Sequence, residues 1–213
     1  MTPDAPVRET MVFGGLTICH DRRVLAPRAW TTAQARWLAE LLRKLPEGPV
    51  LELCAGVGHI GLLVGALTGR DLVLVVAEGA ACELAERNAA ANQVVGSVDV
   101  RHGRIDEAVG EDERFVGIAA DPPRVPSGQT GRFPDDPLTA IDGGDDGLGI
   151  AWSCLRLIDE HLASGGAAVL QLGTGAQADE VAGACEAEDG PGLRVVEVRE
   201  YGESGVLVQL ARR

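Results

Sequence analysis

Lysine is nearly absent from the 213-residue chain: Lys44 stands alone beside 18 arginines. With so much alanine, glycine and valine, this points to a GC-rich coding sequence rather than to a function. Aromatic side chains are scarce as well: three tryptophans, three phenylalanines and one tyrosine. No aromatic stripe interleaves with basic residues, so there is no stacking platform for unpaired bases. Acids outnumber bases by 32 to 19, a net charge of −13. A chain this acidic is repelled by a phosphate backbone unless its basic residues are segregated. No such segregation is visible, and a nucleic-acid partner is disfavoured.

Cysteine pairs are missing too. Cys19, Cys54, Cys82, Cys154 and Cys185 are scattered without a CxxC, which fits reduced, buried thiols and not a disulfide framework or a zinc site. The four histidines are equally dispersed, so no metal is expected. No apolar run approaches the ~18 residues that span a bilayer. The start, "MTPDAPVRETMVF", has no basic segment leading into an apolar one. The expectation is a cytoplasmic protein with no membrane partner.

What is present is a regular alternation. "VFGGLTICHDRRVL" (12–25) reads as a β-hairpin around an "HDRR" turn. "TTAQARWLAELLRKLPEG" reads as a helix capped by Thr31 or Thr32 and stopped by Pro46 and Gly48. Then come the strand "PVLELCA", the helix "HIGLLVGALTG", the strand "DLVLVVAE", the helix "GAACELAERNAAANQ" and the strands "VDVRHGR" and "FVGIAAD". A long loop (127–147) leads to the helix "LGIAWSCLRLIDEHLASGG", the strand "AAVLQLG" and the helix "AQADEVAGACEAED". Two strands, "LRVVEVREY" and "GVLVQLAR", close the chain around "GESG". Continuously apolar strands alternating with helices imply a mostly parallel, Rossmann-like α/β sheet covered on both faces, with one antiparallel end. Residues 1–48 are expected as a hairpin-and-helix extension packed on a core of residues 49–213.

Ligands of such sheets bind beyond the carboxyl ends of the strands. The first informative end is "VLELCAGVGHIG". Glu52 lies inside the strand, and Cys54, Ala55, Gly56 and Gly58 make a turn that lets a ligand approach the backbone. The GxGxxG spacing of a dinucleotide site is formally present. An acid at Glu52 suits a cationic or hydroxyl-bearing ligand better than a pyrophosphate. Glu78 ends the next strand, where a carboxylate can accept from both hydroxyls of a ribose. The third end is "AADPPRVPSG". Pro122 and Pro123 stiffen the exit from the strand and hold Asp121 at its lip. The acids Asp142, Asp145 and Asp146 lack the spacing of a calcium loop and are expected to cap the following helix.

"ELCAGVG", Glu78 and "DPPR" are together similar to the signature of class I S-adenosylmethionine-dependent methyltransferases. "VLAPRAWTTAQ", "ERNAAAN", "PLTAIDGGDDGLGI" and "VEVREYGESGVLVQLARR" extend the match. Over residues 12–213 the chain resembles the release-factor glutamine methyltransferases, without their N-terminal helical domain. The resemblance implies a seven-stranded sheet with its last strand antiparallel, and S-adenosyl-L-methionine as cofactor. It implies that Glu52, Cys54, Ala55, Gly56 and Gly58 hold the methionine end, Glu78 the ribose and Ile105 the adenine. Asp121, Pro122, Pro123 and Arg124 would face the methyl group and its acceptor, with Asp121 and the Pro122 carbonyl orienting the nucleophile.

Four departures stand out. The family pattern is Asn-Pro-Pro-Tyr, whereas this chain has Asp121 and Arg124. An ionised aspartate only accepts hydrogen bonds, and Arg124 offers a fork for an anion in place of a ring. A glycine of the turn is Cys54, and the acid before Ile105 is Arg104. The helical domain is the fourth. The expectation is a retained cofactor site with a changed acceptor: a small molecule or a peptide or protein side chain, methylated on nitrogen. The alternatives are an inactive cofactor-binding module, an amino methyltransferase of RNA or DNA bases, and a nicotinamide dehydrogenase. Asp-Pro-Pro-Arg also occurs in RNA 5-methyluridine methyltransferases, but those need a cysteine near the next strand end, and "VLQLGTG" has none.

Overall fold

The computed structural model describes residues 6–213. Residues 1–5, which belong to the expected N-terminal extension and to the reading of the chain start, lie outside the described residues. A two-stranded hairpin, β1 (Arg8–Phe13) and β2 (Leu16–Asp21), precedes α1 (Thr32–Leu42). The sheet begins with β3 (Val50–Leu53), α2 (His59–Thr68), β4 (Leu72–Val76), α3 (Gly79–Asn92), β5 (Val98–His102) and β6 (Phe115–Ala120). It continues through a four-residue helix α4 (Leu138–Ile141), α5 (Gly149–His161), β7 (Leu162–Leu172), α6 (Gly175–Glu186), β8 (Leu193–Glu200) and β9 (Val206–Arg212).

The strand order is β5-β4-β3-β6-β7-β9-β8. β9 runs antiparallel to both its neighbours, and the pairings from β5 to β7 are parallel. This is the expected seven-stranded sheet. Alternation along β3 explains how it is covered on both sides. Val50 packs into a core with Trp37, Leu62 and Leu84 under α1, α2 and α3. Leu51 and Leu53 pack with Leu155 and Val181 under α5 and α6. β3 and β4 are buried along their whole length, as parallel strands between two helical layers must be.

Three local expectations change. The hairpin turns at Gly14-Gly15, not at "HDRR": Phe13 pairs with Leu16, and both glycines have positive φ, 61° and 106°. A two-residue turn matching strand twist needs that conformation at both positions. The "HDRR" segment ends β2, where Asp21 Oδ1 accepts from the Arg23 backbone N–H at 3.0 Å and from its Nε. At α1 neither threonine caps. Both hydroxyls instead donate backwards, Thr31 to the Arg28 carbonyl and Thr32 to the Ala29 carbonyl, each at 2.8 Å. Finally, α5 ends at His161 and "LASGG" already belongs to β7. Gly165 takes a φ of 75°, which a continuing helix does not allow.

The order places a reversal beside β3. The chain steps outward from β3 to β4 and β5, then returns to β6 on the other side. The diverging loops leave a crevice beyond the carboxyl ends of β3 and β6.

Candidate functional site

At this crevice lies a cavity of about 280 Å³. Glu52, Cys54, Ala55 and Gly56 line it from β3 and its turn, and Ile60 from α2. Glu78 enters after β4, Ile105 after β5, and Asp121 and Pro123 after β6. Gly58, Pro122 and Arg124 do not line it. Gly58 instead supplies the turn's left-handed conformation, with φ of 77°, and its N–H bonds the Ala55 carbonyl at 2.7 Å. Pro122 is buried.

Glu52 faces α2 from the middle of the sheet. Its Oε2 accepts from the Gly61 N–H at 2.8 Å. Its Oε1 is buried without a partner. Burial, opposed by the Gly61 bond and reinforced by the Asp121 charge, pushes the carboxyl up to about 8. Helix α2 comes this close because residue 61 is glycine: an added Cβ would stand 2.5 Å from Glu52 Oε2.

Cys54 occupies a left-handed backbone position, φ 59°, which costs a non-glycine residue strain. Its Sγ lies 3.9 Å from the Sγ of Cys154 on α5. The contact with Cys54, together with burial, raises the Cys154 thiol well above its ordinary range.

Asp121 is raised by burial, against the opposing charge of Arg124. Its Oδ1 sits 3.4 Å from Arg124 Nη1. Arg124 also donates to the Ser204 carbonyl at 3.1 Å and lies 5.8 Å from the Trp30 ring. Trp30 in turn packs against Tyr201 at 5.7 Å. The guanidinium is thus engaged by the carboxylate, the β8–β9 turn and an indole. The loop acid Asp136 pairs with Arg28.

Three features escaped the sequence. The segment from Arg23 to Arg28 forms one wall of the cavity. His59 lines it as well, edge-on to Phe13 at 4.8 Å. The Thr31 hydroxyl already donates to Arg28, so His59 Nε2, 3.3 Å away, carries the proton. Its Nδ1 is enclosed without a partner, and burial lowers the ring to about 3. Asn88 on α3 accepts from the Cys19 N–H and donates to the Cys19 and Val57 carbonyls, tying the hairpin to the glycine turn. Only the "ERNAAAN" match hinted at it. Pro137, Thr139 and Ala140 of the 127–147 loop also line the cavity. Within that loop Asp146 Oδ1 accepts from the Leu148 N–H at 2.8 Å and Asp142 Oδ1 from the Ser127 hydroxyl, but no side chain caps α5 as the cluster was expected to do. Among the described residues no group of three or more His, Cys, Asp or Glu could hold a metal ion.

Residues 16–132 match the family model for the methyltransferase small domain. The chain belongs to that family. A release factor glutamine methyltransferase of Geobacter sulfurreducens is 32% identical over 181 residues, covering 82% of this chain and 61% of that protein. A ribosomal protein uL3 glutamine methyltransferase of Bradyrhizobium diazoefficiens is 28% identical over 193 residues, covering 81% of this chain and 58% of that protein. The chain therefore spans about three fifths of the length of these relatives. Among solved structures, the hMettl16 catalytic domain in complex with MAT2A 3'UTR hairpin 1 superposes with a TM-score of 0.73 at 15% identity. It matches 93% of this chain and 75% of that one.

Methyltransferases of this family imply S-adenosylmethionine, and the cavity fits it. An orphaned, buried carboxyl oxygen at Glu52 suits an ammonium. The backbone at Gly56 is open, with nothing within 4 Å of where a Cβ would stand. Glu78 offers an exposed carboxylate across the cavity, and Ile105 an apolar surface.

Proposed function

We propose that the chain is an S-adenosylmethionine-dependent methyltransferase acting on a nitrogen of a small molecule or of a peptide or protein side chain. One observation carries this reading. Three separate strand ends deliver Glu52 with its glycine turn, Glu78 and Asp121 into one cavity. Glu52, Cys54, Ala55 and Gly56 would hold the methionine end, Gly58 shaping the turn around it. Glu78 would bind the ribose, and Ile105 would lie against the adenine.

Bound there, the cofactor supplies an electrophilic methyl on a positive sulfur. The protein's task is to position the nucleophile in line with that methyl. A nitrogen gains positive charge as it attacks, and an acceptor fixed at its N–H bonds stabilises that charge. Asp121 would take this role. The Pro122 carbonyl, expected as a second acceptor, belongs to a buried residue outside the cavity lining, and Pro123 lines the acceptor side. The two prolines keep Asp121 from rearranging.

The relatives' names, for enzymes of release factors and a ribosomal protein, support a protein acceptor and a cytoplasmic setting. Among the described residues no helix is long and apolar enough to cross a membrane.

Calorimetry tests the cofactor. S-adenosylhomocysteine is expected to bind with micromolar affinity and NAD not at all; absence of heat with S-adenosylhomocysteine would sink the reading. Methyl transfer to a peptide and metabolite panel, lost in Asp121→Ala, distinguishes an enzyme from a cofactor-binding module.

A further inference from the structure

The acceptor side of the cavity holds an acceptor oxygen with no donor, and that oxygen defines a substrate. Asp121 Oδ1 faces Arg124 at 3.4 Å, and no hydrogen bond among the described residues reaches Oδ2. A carboxylate accepts hydrogen bonds and donates none. Arg124 favours its ionised form but does not itself line the cavity. The three arginines that do are already paired. Arg23 binds Asp21 at 2.8 Å, Arg28 binds Asp136 at 2.5 Å, and Arg104 binds Asp106 at 3.1 Å. The Thr139 and Ser153 hydroxyls donate and accept alike, so they favour neither class of acceptor.

A carboxamide presents an N–H face and a carbonyl oxygen on the same planar group. Beside an aspartate the carbonyl meets a second acceptor, and repulsion replaces a bond. An amine presents donors only. Resting on the methyl-transfer reading, we propose that Asp121 selects a primary amine, cationic in solution, rather than the carboxamide for which the relatives are named.

The chemistry balances without another reagent. The ammonium first releases a proton to water. The free amine's lone pair forms the new N–C bond, and the C–S bond breaks with its pair going to sulfur. The methylated ammonium can then lose a second proton to water.

The test uses the full chain with matched peptides identical except for one central residue, lysine or glutamine, in a basic context. Free cadaverine and an RNA hairpin are the other arms. Transfer of labelled methyl is expected to favour lysine over glutamine at least 100-fold in kcat/KM, the scale reached when buried polar groups would be left unpaired. Calorimetry with S-adenosylhomocysteine present is expected to show the lysine peptide binding tighter than its glutamine twin. In Asp121→Asn, checked for an unchanged Tm, both preferences should shrink at least tenfold. Transfer to cadaverine but to neither peptide supports the amine and identifies a small-molecule source. Equal or better transfer to glutamine, or preferred transfer to RNA, overturns the proposal. So does binding of S-adenosylhomocysteine with no amine bound or methylated, which leaves the cofactor reading standing. If S-adenosylhomocysteine fails to bind, the methyl-transfer reading itself falls, and this proposal with it.

Discussion

Gly61 donates its backbone N–H to Glu52 Oε2 at 2.8 Å, while the other oxygen of the same carboxyl has no partner. One helix glycine therefore holds half of a buried acid and leaves half for a ligand. The carboxyl is held protonated up to about 8, and a bound cation would draw it back to the ionised form.

The pH dependence follows from that shift. The folded pKa is raised above the ordinary value of 4.5, so the unfolded chain holds fewer protons at this site. Stability from this group is present at low pH and is lost as pH rises through about 8. The slope is at most about 1.4 kcal/mol per pH unit. Urea midpoints between pH 6.5 and 8 should fall in wild type and stay flatter in Glu52→Gln. The same variant should weaken S-adenosylmethionine at least tenfold. Equal slopes in the two proteins would show that Glu52 is ionised in the fold.

His59 has the opposite sign. Its folded pKa is depressed from 6.5 to about 3 by burial. Its contribution is complete above 6.5 and is lost as pH falls toward 3. Thermal melts of wild type and His59→Asn from pH 7 down to pH 4.5 should converge, because the variant carries no proton to gain. A constant gap across the range would place the charged ring in the folded state.

Asn88 joins the Cys19 and Val57 backbones through one buried amide. Asn88→Ala leaves those groups unpaired, at a cost of about 2–3 kcal/mol in urea denaturation. The glycine turn loses a support at the same time. The dissociation constant for S-adenosylhomocysteine should rise several-fold, whereas a purely remote stability effect would leave it unchanged.

Gly61→Ala probes the close approach of α2. The new Cβ would meet Glu52 Oε2 and Leu74 Cδ2, each at 2.5 Å. Overpacking of this kind costs about 1–3 kcal/mol, despite alanine's better helix propensity. A Tm equal to or above wild type would mean that α2 moves freely away from β3.

The sheet was legible in the sequence because its signal is local. Runs such as "VLEL" and "LVLVV" between glycine turns already demand a strand buried on both faces. Asp121 and Glu78 were legible as strand-end acids, and Glu52 as an acid inside its strand, for the same reason, each close to a turn or proline visible within a few residues. The hairpin turn was misplaced although Gly14-Gly15 carries its own signal, because the polar "HDRR" competed with it.

What only the tertiary structure decided are relations between distant residues. Nothing near Arg124 in the chain says that Ser204 and Trp30 hold its guanidinium. Nothing near His59 says that Thr31 sets its tautomer, or near Asn88 that Cys19 lies across it. Each is a hydrogen bond or ring contact made across the fold, whose partner the strand order selects and no local period encodes. By itself the sequence determined which residues stand at the ends of the strands. The folded chain decided which of them share a cavity, which are already paired, and that Asp121 keeps an oxygen free.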